Sequence, residues 1–180
     1  LNDNDFEVHR LMAEVNLSGR NFKVAERHAS KAYKMVPNDP RVLSVYGEVS
    51  LRLGKIDQGL DALKLALEID PIAQGKTNSD SRTSPVLFGE YLARNKDNCL
   101  ELVEKLEDID PKSWLLTAKL CSDEEHDITE EDWYKRGKEE FKDKDWAAEV
   151  DSFRLNNDGA KESLIELSLI HISEPTRPNE

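Results

Sequence analysis

The sequence predicts an all-α fold of antiparallel helix-turn-helix repeats, and three observations carry that expectation. Pro37 and Pro71 lie 34 residues apart, and small residues recur in the same register as Ala13/Gly47, Ala25/Gly59 and Ala32/Ala66. A period of this size is the signature of a helical repeat, in which each hairpin must stack on its neighbour to bury an apolar face. Apolar side chains recur at helical rather than alternating spacing, and charged residues reach 34% while aromatics stay at 7%. That composition suits amphipathic helices joined by short turns and leaves few strand signals.

The first helix is expected from Asp5 to Leu17, on the stripe Phe6, Val8, Leu11, Met12, Val15 and Leu17, ending at Ser18-Gly19. A second runs from Phe22 to Val36. Within the break Pro37-Asn38-Asp39-Pro40, Asp39 can cap a third helix and Pro40 fits its first turn, where no N–H donor is needed. That helix carries Val42, Leu43, Val45, Tyr46, Val49 and Leu53 up to Gly54, after which Asp57 is expected to cap a fourth reaching Ile69, with Pro71 as its stop.

After Pro71 the period slips. Residues 72–84, with Gly75, Asn78, Ser79, Asp80 and Ser81, read as a polar connection longer than the turns before it. Ser84-Pro85 starts another helix through Val86, Leu87, Phe88, Tyr91 and Leu92, and Asp97 caps its partner through Leu100, Leu102, Val103 and Leu106. Ile109-Asp110-Pro111 closes that helix as Ile69-Asp70-Pro71 closes the fourth. Gly89 stands 22 residues before Pro111 as Gly47 stands 24 before Pro71, a shortened version of the same unit. Lys112 to Cys121 forms a further helix burying Trp114, Leu115, Leu116, Ala118 and Leu120. Thr129-Glu130-Glu131-Asp132 then resembles a capping box before Trp133, Tyr134, Gly137 and Phe141. Asp145-Trp146-Ala147-Ala148 leads into Val150 and Phe153, and the pattern fades at Asn156-Asn157-Asp158-Gly159.

Over residues 6–71 these features resemble the tetratricopeptide repeat family. The resemblance implies that Gly47 faces Gly59 and Ala13 faces Ala25, that Ala32 and Ala66 pack against the next repeat, and that Pro37 and Pro71 end the second helices. Phe22, Ile56 and Tyr46 match its bulky positions, while His9 stands where the family often has Trp. It further implies a right-handed α-solenoid whose first helices line a concave groove, making Arg10, Glu14, Arg41, Ser44, Glu48 and Arg52 candidate contacts for a protein or peptide segment. The family's dicarboxylate clamp needs Lys and Asn in that groove; Arg10 can replace the first Lys, but Glu14 and Val45 occupy the Asn positions, so chaperone tails are not the expected ligand. The function implied is a non-catalytic scaffold or adaptor. The eroded later units and Asp-Pro turns also resemble arrays appended to bacterial class III nucleotide cyclases, which implies an alternative, the regulatory end of a larger enzyme in contact with an N-terminal domain outside this sequence.

The domain organisation expected is two well-formed repeats at 1–71, the polar connection at 72–84, eroded repeats at 85–166 and a foreign tail at 167–180. The tail, from Leu-Ser-Leu-Ile to Thr-Arg-Pro, resembles the conceptual translation of a transposon-end sequencing adapter and is set apart from the fold. Its only charges are Glu174, Arg177 and Glu180, so the acidic character belongs to the rest of the chain. The start at Leu1-Asn2-Asp3, without Met or an apolar leader, reads as a cut.

A net charge of −12 with no Lys/Arg stripe disfavours nucleic-acid and anionic-membrane partners. No stretch of about 18 apolar residues is present to span a bilayer. Cys99 and Cys121 sit among apolar neighbours and read as small core residues, and His9, His28, His126 and His171 are too scattered for a metal site. No catalytic residue, metal or cofactor is expected: the sequence lacks a nucleophile elbow, a phosphate-cradling loop and a dinucleotide fingerprint. Buried cysteines and the lack of an export signal make a reducing, cytoplasmic interior the default expectation.

Overall fold

The computed structural model describes residues 5–70, 83–104, 111–121 and 131–143. All regular structure among them is helical: α1 (Phe6–Ser18), α2 (Phe22–Met35), α3 (Pro40–Arg52), α4 (Ile56–Ile69), α5 (Thr83–Leu92), α6 (Lys96–Glu104), α7 (Pro111–Cys121) and α8 (Asp132–Glu140). Among the described residues no helix is long and apolar enough to cross a membrane.

The 34-residue period governs the backbone as well as the side chains. Every boundary of α3 and α4 falls 34 residues after that of α1 and α2. The two helix-starting aspartates are in the same register: Asp5 accepts the N–H of Glu7 at 3.0 Å, and Asp39 accepts those of Arg41 and Val42 at 2.9 and 3.2 Å. Each carboxylate satisfies donors that a helix start leaves without an intrahelical partner. The residues that end α2 and α4, Val36 (φ −139°, ψ 75°) and Asp70 (φ −138°, ψ 78°), share one conformation.

Three hairpins turn by one mechanism. Arg20, Gly54 and Arg94 adopt positive φ of 59°, 77° and 61°. The following residue in each case returns its N–H to the carbonyl five positions back, Asn21 to Asn16, Lys55 to Ser50 and Asn95 to Glu90, at 2.8 to 2.9 Å. This is the Schellman closure of a helix, and it favours glycine because a side chain at positive φ costs about 1–2 kcal/mol. Gly54 meets it freely; Arg20 and Arg94 bear the strain.

That turn corrects the alignment of the third hairpin. Arg94 stands 40 residues after Gly54, so Leu87 and Cys99 occupy the places of Gly47 and Gly59, and Gly89 does not. A side-chain atom built on Gly89 would meet Leu60 and Leu51, which places this glycine at the contact of α5 with the preceding hairpin. Cys99 acts as the small residue instead, fully buried with Sγ 3.9 Å from the Leu87 carbonyl. Burial pushes its thiol up to about 12, with Cys121 and Glu90 adding to the shift, so it is un-ionised and inert in the folded chain.

Several boundaries also differ from expectation. The closed turns set the helix starts at Ile56 and Lys96, leaving Asp57 and Asp97 in the first helical turn rather than at the cap. There they still favour the positive helix end. Pro111 opens α7 rather than closing α6, in keeping with proline's fit to a first helical turn. Thr83 and Ser84 belong to α5, shortening the connection expected to run to residue 84. Ala118 and Leu120 are half-buried, whereas Trp114, Leu115 and Leu116 are buried as expected. Glu131 begins α8 without a side-chain cap bond. Pro71, Leu106, the segment 72–82, Thr129-Glu130, the helix expected around Asp145 to Phe153, and the 167–180 tail lie outside the described residues.

Each helix packs on its neighbour in sequence, and α1 also meets α3 as α5 meets α7. The core changes character along this order. Ala13, Ala25 and Ala29 pack with Val45 and Val49, and Leu43 with Ala62 and Ala66. From Leu51 onward a larger cluster takes over, running through Leu63, Leu87, Tyr91 and Trp114 to Phe141.

Candidate functional site

The first-helix face is built from α1 and α3, which lie against one another. Arg10 and Glu14 are one turn apart on α1; Arg41, Ser44, Glu48 and Arg52 follow at three- and four-residue steps along α3. The structure joins the first members of the two sets through a residue that the sequence reading missed. Glu7 receives Arg10 at 2.7 and 3.0 Å and also faces Arg41 at 3.6 Å. Its signal was present in the sequence: Glu7 is the 34-residue counterpart of Arg41, with opposite charge.

Around this bridge the charges are ordered. Arg10 also pairs with Glu14. The Arg10 guanidinium holds the Glu7 carboxyl below the usual carboxylate range, and Glu7 in turn raises Arg10. Asp39 accepts Arg41 side-chain bonds at 2.9 and 3.3 Å while capping α3, so Arg41, followed by those backbone donors, holds the carboxyl low. Arg41 remains half exposed, at 51%. Its fixed, solvent-facing guanidinium is suited to receive a carboxylate or a backbone carbonyl.

The far end of the face has a different character. Arg52 lies three turns along α3 from Arg41, only 13% exposed, paired with Glu48 at 3.7 Å. Its guanidinium sits 4.8 Å over the Phe88 ring of α5, and burial lowers its pKa without discharging it. Arg52 therefore ties α3 to α5, and Phe88 is a second residue missed in the sequence. Ser44 donates its hydroxyl to the Pro40 carbonyl at 2.7 Å, which commits its proton to the helix.

The remaining positions singled out in the sequence are structural. Gly47 and Gly59 face one another: a side-chain atom on either would come within 2.9 Å of the other's carbonyl oxygen. Ala13, Ala25, Ala32 and Ala66 are all buried, and Pro37 lies in the turn after α2. His9 and His28, which the sequence left apart, meet across α1 and α2 with Nδ1 atoms 2.9 Å apart, so one ring donates where the other accepts. Glu90 is a buried carboxylate on α5 that receives Lys64 of α4 at 2.6 Å and Asn95 at 2.6 Å.

Among the described residues no group of three or more His, Cys, Asp or Glu side chains is placed to hold a metal ion. Against protein-family models, curated proteins and solved structures, the chain matches none.

Proposed function

We propose that this chain is a non-catalytic scaffold, a tetratricopeptide-like array coiled as a right-handed solenoid that holds an extended protein segment along its first-helix face. The observation that carries the reading is the conjunction of an exact structural period with an ordered charge cluster on that face. The helix boundaries, capping aspartates and closing turns of the first two hairpins repeat in register. On the same face Arg41 is fixed by Asp39 and Glu7 yet half exposed. A bound segment running along α1 and α3 would set a carboxylate or carbonyl against Arg41, with Glu14 and Glu48 as acceptors for its donors.

The test uses Arg41→Glu in the full chain, with a binding partner isolated by affinity capture and then purified. Arg52 is left intact, because replacing it would strip Phe88 of its cation. Reversing the charge at Arg41 is expected to weaken binding about tenfold, the equivalent of roughly 1.4 kcal/mol, with circular dichroism unchanged. Unaltered affinity would refute the assigned face.

A further inference from the structure

On α3, Val42, Val45 and Val49 are buried, and Val45 and Val49 pack against Ala13 of α1 and Ala25 and Ala29 of α2. Their 34-residue counterparts on α1 are Val8, Leu11 and Val15. Of these Leu11 is 47% and Val15 67% exposed, the most exposed large apolar side chain among the described residues. One stripe, repeated in one register, is thus covered on the second hairpin and, beyond the half-buried Val8, open on the first.

We propose that this α1 stripe is a seat for a further helical hairpin of the α1–α2 kind, docked in line ahead of Asp5. The chain's own packing of its first hairpin on α3 is the template. The occupant needs a small residue at the counterpart of Ala13 and two more, one turn apart, at the counterparts of Ala25 and Ala29, because only small side chains let a helix pair approach valines this closely. Its charge is specified as well. Arg41 faces Glu7 across the existing contact; Glu7 holds Arg41's place on the open seat, so the occupant should carry a base opposite it. The joint is in register too, since Asn4-Asp5 repeats Asn38-Asp39 and Asp5 already caps α1 as Asp39 caps α3. A second copy of this chain cannot supply the occupant from its own first hairpin, whose alanine face is buried under its own α3.

The inference rests on the repeat architecture proposed above and is independent of what the first-helix face binds. It is tested by joining a second copy of residues 5–38, carrying Glu7→Lys, directly in front of Asp5 and following hydrogen exchange. Backbone amides of α1 are expected to gain at least tenfold in protection, and the added helices to exchange with them as one unit. Leu11→Lys with Val15→Lys in the seat should abolish the gain. Both positions are solvent-facing, so the same pair in the unextended chain should leave its helicity unchanged, which separates a lost seat from a lost fold. Added residues exchanging at unstructured rates, unchanged α1 protection, or a gain that survives the lysines would each overturn the proposal. So would Leu11-dependent dimerisation of the unextended chain in sedimentation. Unaltered partner binding in Arg41→Glu with the stacking gain intact would count against the scaffold's binding face alone.

Discussion

Gly47 and Gly59 set how closely α3 and α4 approach, and the effect of adding one methyl group there follows from two opposed magnitudes. Replacing a helical glycine by alanine gains about 1 kcal/mol in propensity. A β-carbon on Gly47, however, would lie 2.6 Å from Leu63 Cγ and 2.9 Å from the Gly59 carbonyl oxygen, and the backbone atom cannot swing aside. Overpacking of this kind costs about 1–3 kcal/mol and wins. Gly47→Ala is therefore expected to lower the unfolding free energy measured in urea by a net of up to about 2 kcal/mol, whereas an alanine gain would show that the helices have room. The sequence displayed this pair because glycine inside an apolar helical stripe is a packing requirement. It gave no such notice of Phe88, whose partner Arg52 lies in another helix, and pointed to Glu7 only through its 34-residue register with Arg41; pairs of that kind depend on how helices stack.

At the scale of the element, Asp39 couples the start of α3 to Arg41. Its carboxyl is held low by Arg41 first and by the Arg41 and Val42 amides next. A depressed folded-state pKa contributes stability that is complete above the ordinary carboxylate titration and is lost as the pH falls through it. Between pH 7 and pH 3 the native chain should lose stability in part through this group, in the same direction as Glu7. Asp39→Asn retains a capping oxygen but not the charge, so a flatter acid limb in urea titrations is expected; Asp39→Ala should cost about 1 kcal/mol at neutral pH as well. Parallel acid limbs in the wild-type chain and Asp39→Asn would exclude the ion pair as the cause. The helices themselves were legible from periodicity and breaks, yet their starts were not. The sequence presents Asp57 and Asp97 as caps, but the Schellman turns close two residues earlier, at Lys55 and Asn95, and draw both into the helix.

For the whole molecule, Leu51 marks where the alanine seams of the first two hairpins give way to the larger core. Its side chain reaches the backbone of Gly59 on α4 and of Gly89 on α5, so one residue fills the junction of three helices. Leu51→Ala is expected to cost about 2–5 kcal/mol. Because such arrays draw stability from nearest-neighbour contacts, it should also uncouple exchange of α5–α7 from that of α1–α4. A uniform loss of protection across all helices would show that the two regions unfold as one unit instead. This junction was hidden in the sequence by the shift from a 34- to a 40-residue step, which made Gly89 look like the counterpart of Gly47.

By itself the sequence determined that the described chain is helical, where the first two hairpins lie, and which small residues let them close, because period and residue size act locally and need no knowledge of neighbours. Tertiary structure alone decided that Cys99 takes the glycine place in the third hairpin and that Arg52 is committed to Phe88. It also decided that Val42, Val45 and Val49 are covered while Leu11 and Val15, at the matching places of the last two on α1, stay open. Those outcomes depend on which faces meet once the hairpins stack, and stacking sums contacts between residues that no local pattern brings together.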